Sequence, residues 1–465
     1  MTMNPRDCLC NGHSSPFWSE GFTRRRFLKI GATGLVASYF ADVLSPSLLE
    51  AAVAVTPALQ RTARTCIFIF LQGGPSQVDL WDLKEGAWTP SDLAPTSYGD
   101  VRWPHGLLPK TADHLGKLAI IRSGLAWAAV HPLAQKWAQM ARTPSGASGS
   151  FSPHIGAVVS LESQLSRRAS DVLPGFVALN GTAVGVGYLP AQNTPFPVQP
   201  SPTGLSALTH PDGAARLDDR WKAIHGIDGD RITGARGRDA ADMASFSEQA
   251  RLLIDAPNIN QVFSFTEDER VRYGSTGFGD SLLVSRNLVA ANRGTRFVQV
   301  TLSGWDHHSD IYATADGGSI YGLSKTLDGG LSALLADLST TPGVDSGKTL
   351  LDETLVILLG EFGRTVGALT ESGGRDHYLR MSVVAAGGGV RGGRIIGSTN
   401  QIGDQVKEFG WSANRDIRPE DLTSTIYSAL GIDYTTVRHD DPLGIGFEYV
   451  PFAKDGVYRS VDELF

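Results

Sequence analysis

Six short apolar runs punctuate the chain, at residues 66–71, 118–122, 175–179, 297–302, 354–359 and 381–386. Each is almost continuously apolar and stops abruptly at glycine or at polar residues. A strand with one wet face alternates, whereas a strand covered on both faces does not. The runs therefore predict buried strands of a mostly parallel sheet. Between them the period changes. Residues 321–338 place Leu323, Leu327, Leu331, Leu334, Leu335 and Leu338 on one stripe, which predicts a helix with one buried face. A second helix is expected from Leu422 to Leu430, opened by Pro419-Glu420-Asp421 and stopped by Gly431. Residues 285–292 supply a third helical piece. Strands and helices in alternation argue for an α/β sandwich, a central sheet between helical layers.

Residues 186–243 break the pattern. Pro190, Pro195, Pro197, Pro200 and Pro202 crowd into a stretch without periodicity, and a polar, Asp/Arg/Gly-rich segment follows to Met243. This region reads as an insertion over the sheet of one domain spanning 62–450, with 451–465 as a C-terminal tail. No internal repeat is visible at 20–50 residues.

The N-terminus has a different character. Residues 23–29 read Thr-Arg-Arg-Arg-Phe-Leu-Lys, an Ala/Gly-rich apolar stretch follows at 30–41, and Ala52-Val53-Ala54 offers a cleavage site. A charged start, an apolar centre and an A-x-A end make an export leader. The paired arginines resemble the twin-arginine signal specifically. Residues 1–54 are thus expected to be a leader read by the twin-arginine export machinery, delivering the mature chain to the periplasm or cell surface.

Composition narrows the function classes. With 465 residues, 42% hydrophobic and 19% charged, the chain can bury a full core, which disordered sequences cannot. The 53 glycines and 24 prolines follow no three-residue period, so they mark turns and not a collagen helix. Net charge is −7 with dispersed basic residues, unlike a nucleic-acid binder. No run of about 18 uncharged apolar residues provides a membrane span for the mature chain. Cys8 and Cys10 fall in the leader. Cys66 alone remains, so no internal disulfide is possible, and it reads as a small buried side chain.

In open α/β sheets ligands bind beyond the carboxyl ends of the strands, and there the sequence is rich. The first run leads into Gln72-Gly73-Gly74-Pro75-Ser76-Gln77-Val78-Asp79-Leu80-Trp81-Asp82. The run at 297–302 leads into Ser303-Gly304-Trp305-Asp306-His307-His308. The run at 354–359 leads into Gly360-Glu361-Phe362-Gly363-Arg364-Thr365. Gly373-Gly374-Arg375-Asp376-His377-Tyr378 lies just before the last run. Aspartate and histidine with an open position are ligands of catalytic zinc, and carboxylates also suit harder divalent ions. Each cluster alone has a plainer explanation: a turn aspartate, surface histidines, a local Glu361–Arg364 pair. Their joint placement at strand ends favours a site. His131, followed by Pro132, is a weaker candidate for the same cleft. The glycines of 387–393 read more simply as a turn than as a phosphate cradle.

The Gly-Gly-Pro-Ser…Asp79…Asp82 block, Trp-Asp-x-His at 305–308, Gly-Glu-Phe-Gly-Arg-Thr at 360–365 and Gly-Gly-Arg-Asp-His at 373–377 resemble the DUF1501 family of exported bacterial proteins. The resemblance runs from about Arg64 to Gly446. That family is placed in the alkaline-phosphatase and sulfatase superfamily, which implies an alkaline-phosphatase-like sandwich with a metal site at the strand ends. It implies Asp306 and His308 as one ligand pair, and Glu361 and Asp376 with His377 as the others. Ser76 is implied as nucleophile, and Arg364 as the group that neutralises a tetrahedral oxyanion. Asp79, Asp82 and His307 are weaker site candidates. The chain departs from the superfamily at two points: Gln72-Gly73-Gly74 stands where an acidic residue ends the first strand, and Glu361 lacks an adjacent histidine. One divalent ion or two, zinc among them, or no metal at all, remain open on this reading. So do two functions. One is an exported metal-dependent hydrolase of a small-molecule or carbohydrate phosphate or sulfate ester. The other is a degenerate member of the fold that binds or assembles at the cell surface.

Overall fold

Eight strands build the central sheet: β1 (Thr65–Gln72), β2 (Leu118–Leu125), β3 (Phe176–Leu179), β4 (Phe196–Val198), β5 (Phe297–Ser303), β6 (Thr354–Leu359), β7 (Arg380–Ala386) and β8 (Arg394–Ile396). They lie in the order β8-β2-β7-β6-β1-β5-β3-β4. The central strand β1 pairs in parallel with β5 and β6. Only β7 runs against its neighbours, antiparallel to both β6 and β2. The computed structural model describes residues 57–208, 212–233, 237–314 and 317–465. The expected leader and its cleavage site therefore lie outside the described residues, as do 209–211 and 234–236 of the insertion. Thr56–Phe465 forms one compact unit, and among the described residues no helix is long and apolar enough to cross a membrane.

The mostly parallel α/β sandwich expected from the apolar runs is the observed fold, and side-chain direction explains why those runs do not alternate. Ile67, Ile69 and Leu71 point to one face of the sheet and join a core with Leu282, Leu327 and Leu331. Cys66, Phe68 and Phe70 point to the other and join Ala134, Val158, Leu422 and Ile426. Helices cover both faces: α1 (His131–Met140), α2 (Ile155–Ser163), α3 (Ala214–Thr233), α4 (Gly237–Asp255), α5 (Gly277–Ala291), α6 (Ile320–Thr340) and α7 (Pro419–Ala429). Of these, α5 and α6 pack on the first face, and α1, α2 and α7 on the second. Each large apolar side chain so enclosed contributes about 1.5–3 kcal/mol.

Several elements depart from the sequence expectation. Helix α5 begins at Gly277, well before 285, because the Thr276 hydroxyl accepts the Gly279 N–H at 3.0 Å and caps it. Its first turn holds two glycines and an aspartate, poor helix formers that hide the start in the sequence. The edge strands β4 and β8 are three residues each, too short for a periodic signal, and β4 carries Pro197, which an edge tolerates. The insertion holds the polar helix α3 and the start of α4, which runs past the expected end at 243 to Asp255. In the stretch read as a tail, Ala453, Val461, Leu464 and Phe465 are buried in the second core.

Topology sets where chemistry can gather. Parallel strands β1, β5 and β6 deliver the residues after them, Gly73, Asp306 and Glu361, to one edge. The antiparallel β7 delivers the residues before it, so His377 arrives at that edge ahead of its strand. Strand β2 ends there too and leads into His131 at the start of α1.

Candidate metal centre

His131, Asp306, His308 and His377 each bring one donor atom to a common point, all within 4.8 Å of one another. Nε2 of His308 lies 2.9 Å from Nε2 of His377 and 3.0 Å from Asp306 Oδ1. Nε2 of His131 and His377 lie 3.2 and 3.5 Å from the same oxygen. His377 is fixed in a two-residue antiparallel ladder opposite Arg364. Close backbone approach makes room for this. Gly73, at φ +118°, passes so near that a Cβ would stand 2.7 Å from the backbone nitrogens of Trp305 and Asp306.

The donor set fits a cation. Every imidazole has its Nδ1 committed to an acceptor: His131 to Glu361 Oε1 at 2.7 Å, His308 to Asp376 Oδ1 at 2.9 Å, and His377 to the Ala129 carbonyl at 2.8 Å. An acceptor there requires Nδ1–H and leaves a lone pair on Nε2. The Nε2 lone pairs of all three rings therefore face one another and a carboxylate oxygen, a repulsive arrangement unless a cation lies among them. Nε2 of His131 is buried without a well-formed hydrogen bond. For metal–nitrogen bonds of about 2.0–2.1 Å, tetrahedral donors stand about 3.3 Å apart, within the observed spread. Carboxylates Asp306, Glu361 and Asp376 with the Arg364 guanidinium leave two negative charges, which one divalent ion balances. Asp306 and His308 are 47% and 46% exposed, so the centre opens to solvent, and water or substrate could join the four protein donors as a fifth.

The expected residues separate into ligand positions and supports. Asp306, His308 and His377 fall in the cluster, and so does His131, the weaker candidate. Glu361 does not face it. Its buried carboxylate accepts the Gly73 N–H at 2.9 and 3.1 Å, the Gln135 amide at 3.0 Å and His131 Nδ1. It stands behind His131 as an orienting group. Asp376 plays the same part behind His308. Four of the five N–H donors of buried Arg364 are taken, by the carbonyls of Gly73, Gly74 and Arg375 and by Asp306 Oδ1 at 2.5 Å, and the fifth lies 3.5 Å from His308 Nε2. Arg364 thus anchors Asp306, and its fifth N–H is directed at the cluster.

Ser76 is buried and donates to Asp79 Oδ2 at 2.6 Å. Asp79 in turn pairs with the buried Arg375 at 2.8 Å and accepts the Tyr312 hydroxyl at 2.7 Å. None of these bonds reaches the four-residue cluster, and residues 76–82 form turns with no helix for Ser76 to cap. Asp82 is held by Arg122, Lys84 and Thr399. His307 is buried with Nε2 at 2.9 Å from the Gly318 carbonyl, away from the cluster. The acidic residues after the first strand are thus spent on internal cations and hydroxyls.

Electrostatics agrees with this division. Burial would raise the Asp306 carboxyl, but the hydrogen bond and charge of Arg364, with His131 beside it, hold it down to about 2. The hydrogen bond to Glu361 pushes His131 up, against the opposing effect of burial. Helix α1, which begins at His131, is itself braced. The indoles of Trp127 and Trp137 donate to the two oxygens of buried Glu420 at 2.9 and 2.8 Å.

Three participants were missed in the sequence. Gln135 lies one turn after His131, a spacing that points it to the same side of α1. Glu420 was read only as a helix-opening acid. The Ala129 carbonyl has no sequence signature at all.

The family model of DUF1501, described as a protein of unknown function, matches residues 63–444. No curated protein sequence matches the chain. Among solved structures it is similar to a lipoteichoic acid synthase from Listeria monocytogenes, with 11% identity over 87% of this chain and 81% of that one and a TM-score of 0.38. A putative sulfatase from Bacteroides thetaiotaomicron is similar at 10% identity over 84% and 75%, with a TM-score of 0.37. A phosphonate monoester hydrolase from Silicibacter pomeroyi follows at 10% over 79% and 73%, with a TM-score of 0.35.

Proposed function

The chain belongs to the DUF1501 family, and we propose that this member is an exported hydrolase that holds one divalent ion through His131, Asp306, His308 and His377 and cleaves a phosphate or sulfate ester. The observation that carries the reading is the convergence of imidazole Nε2 atoms on Asp306 Oδ1, each ring turned by an acceptor on its Nδ1. The ester class follows from the superfamily that the sequence motifs resemble.

A divalent ion bound there supplies Lewis acidity and a nucleophilic water at neutral pH. The chain supplies the rest. Glu361, Asp376 and the Ala129 carbonyl fix the tautomer and tilt of the rings. Arg364 keeps Asp306 ionised. The exposed side of Asp306 and His308 admits solvent and substrate. Ser76 has no part in the reaction on this account, so the attacking group is water and not a side chain.

The test is turnover of generic aryl phosphate and sulfate esters by metal-loaded protein, by chelator-stripped protein and by Asp306→Ala and Ser76→Ala variants. The expected result is activity in the loaded protein and in Ser76→Ala, and a loss of two or more orders of magnitude in the other samples. A metal-loaded protein without turnover points to the binding or assembly reading. Export is a separate proposal resting on Thr-Arg-Arg-Arg-Phe-Leu-Lys at 23–29. Replacing Arg24 and Arg25 by lysine should leave precursor in the cytoplasm, and undiminished export would refute the twin-arginine assignment.

A further inference from the structure

Beside His377 the surface holds a cavity of about 300 Å³ lined by Leu125, Ala129, His377, Tyr378, Leu379 and Arg380. That volume is at the lower end of small-molecule sites, enough for one ring or a short chain. Its walls are two stretches of backbone running side by side. Leu125 lies opposite Arg380 in the sheet, the Ala126 N–H donates to the Leu379 carbonyl at 2.9 Å, and the Ala129 carbonyl holds His377. On these same two stretches large apolar side chains face water: Trp127 is 40% exposed, Val130 58% and Leu379 38%. A candidate metal ligand thus shares a wall with an apolar shelf.

Arg380 is paired with Asp416 at 2.6 Å. Arg418 lies 3.9 Å over the Trp127 ring, and its N–H groups reach the Leu125 and Ala126 carbonyls at 3.3 and 2.9 Å. Both guanidiniums near the cavity are thus tied to protein acceptors through Nη1, and Nε of Arg380 is buried without a hydrogen bond. Exposed apolar groups beside a polar centre mark a place where a ligand removes them from water.

We infer that this shelf seats the apolar organic group of the substrate, an aryl ring or short alkyl chain, while the anionic head lies at His131, Asp306, His308 and His377. The inference rests on the hydrolase reading above and adds the substrate class: an ester whose organic part is apolar.

The experiment is calorimetric titration of the zinc-loaded protein with phenylphosphonate and with methylphosphonate, which share a head and differ only in the organic group. Burying the ring predicts binding about tenfold tighter, or more, for the phenyl compound. The Val130→Ser, Leu379→Ser double variant changes two exposed residues that are not candidate ligands, and should bring the ratio close to one. Equal affinities in the wild type, or a preference that survives in the double variant, overturns the shelf and leaves the metal centre standing. A chain that takes up no zinc, or a zinc-loaded chain that binds neither phosphonate, overturns both.

Discussion

Glu361 touches the cluster only through the ring nitrogen of His131 that points away from it. Its influence is therefore on ring orientation and basicity, and that can be measured. Glu361→Gln keeps the volume but puts an amide N–H₂ where a carboxylate oxygen accepted hydrogen bonds. Loss of such an outer partner lowers metal affinity about 10- to 100-fold, read by competition with a chromophoric chelator. Unchanged affinity would mean that His131 is not a ligand. At this scale the sequence was informative about which residues gather and poor about which way they face. Asp306, His308 and His377 were legible because each sits against a strand end. Glu361 looked equally like a ligand, since one residue beyond β6 does not say whether its carboxylate meets a metal or meets a histidine. His131 was faint because His-Pro opens a helix of weak pattern. Arg364 looked freer than it is because Gly73 and Gly74 become its neighbours only through folding, and Ser76 because the turn that sets its hydroxyl against Asp79, three residues on, has no sequence signature.

The turn after β1 sets the distance between β1 and β5 beyond their paired residues. Gly73 combines φ +118° with a missing Cβ that would otherwise stand 2.7 Å from backbone at Trp305 and Asp306. Backbone cannot yield as a flexible side chain can. Gly73→Ala should cost more than about 2 kcal/mol, since a clash adds to the roughly 1 kcal/mol of a left-handed alanine, and should weaken metal binding by displacing Asp306. Gly99, also at positive φ but with open space around it, is the control, and Gly99→Ala should cost only the conformational part. Urea denaturation of the two variants decides; equal costs would refute the close-approach argument. Elements were legible where burial imposes a long apolar run or stripe, as in β1, β6 and α6. They were illegible where three residues or a polar face carry the element, as in β4, β8, α3 and α4. The reversal of β7 had no sequence signal, yet it explains why His377 precedes its strand while Asp306 and Glu361 follow theirs.

Across the whole molecule, two helical layers bury the sheet so thoroughly that even a histidine is sealed in it. His154 is buried, and its Nδ1 accepts the Gly156 N–H at 2.8 Å to cap α2. Burial pushes its pKa down to about 3. The unfolded chain takes up that proton near the ordinary value of about 6.5, and the folded chain does not. Stability is therefore complete above pH 6.5 and falls as the pH drops towards 3, by on the order of 4 kcal/mol from this group. His154→Asn retains a capping acceptor without the titration. Chelator-treated variant protein should show a shallower loss of stability between pH 6.5 and 3 in urea melts, and an identical slope would contradict the assignment. The same enclosure leaves the strand-end edge as the place where donors meet solvent, and the central claim is that one divalent ion belongs there. Elemental mass spectrometry of the purified protein tests it most directly. One equivalent of a divalent metal per chain, lost in both His308→Ala and Asp306→Ala variants that remain folded, is the predicted result. No metal in the wild type, or a full equivalent retained in both variants, would contradict it.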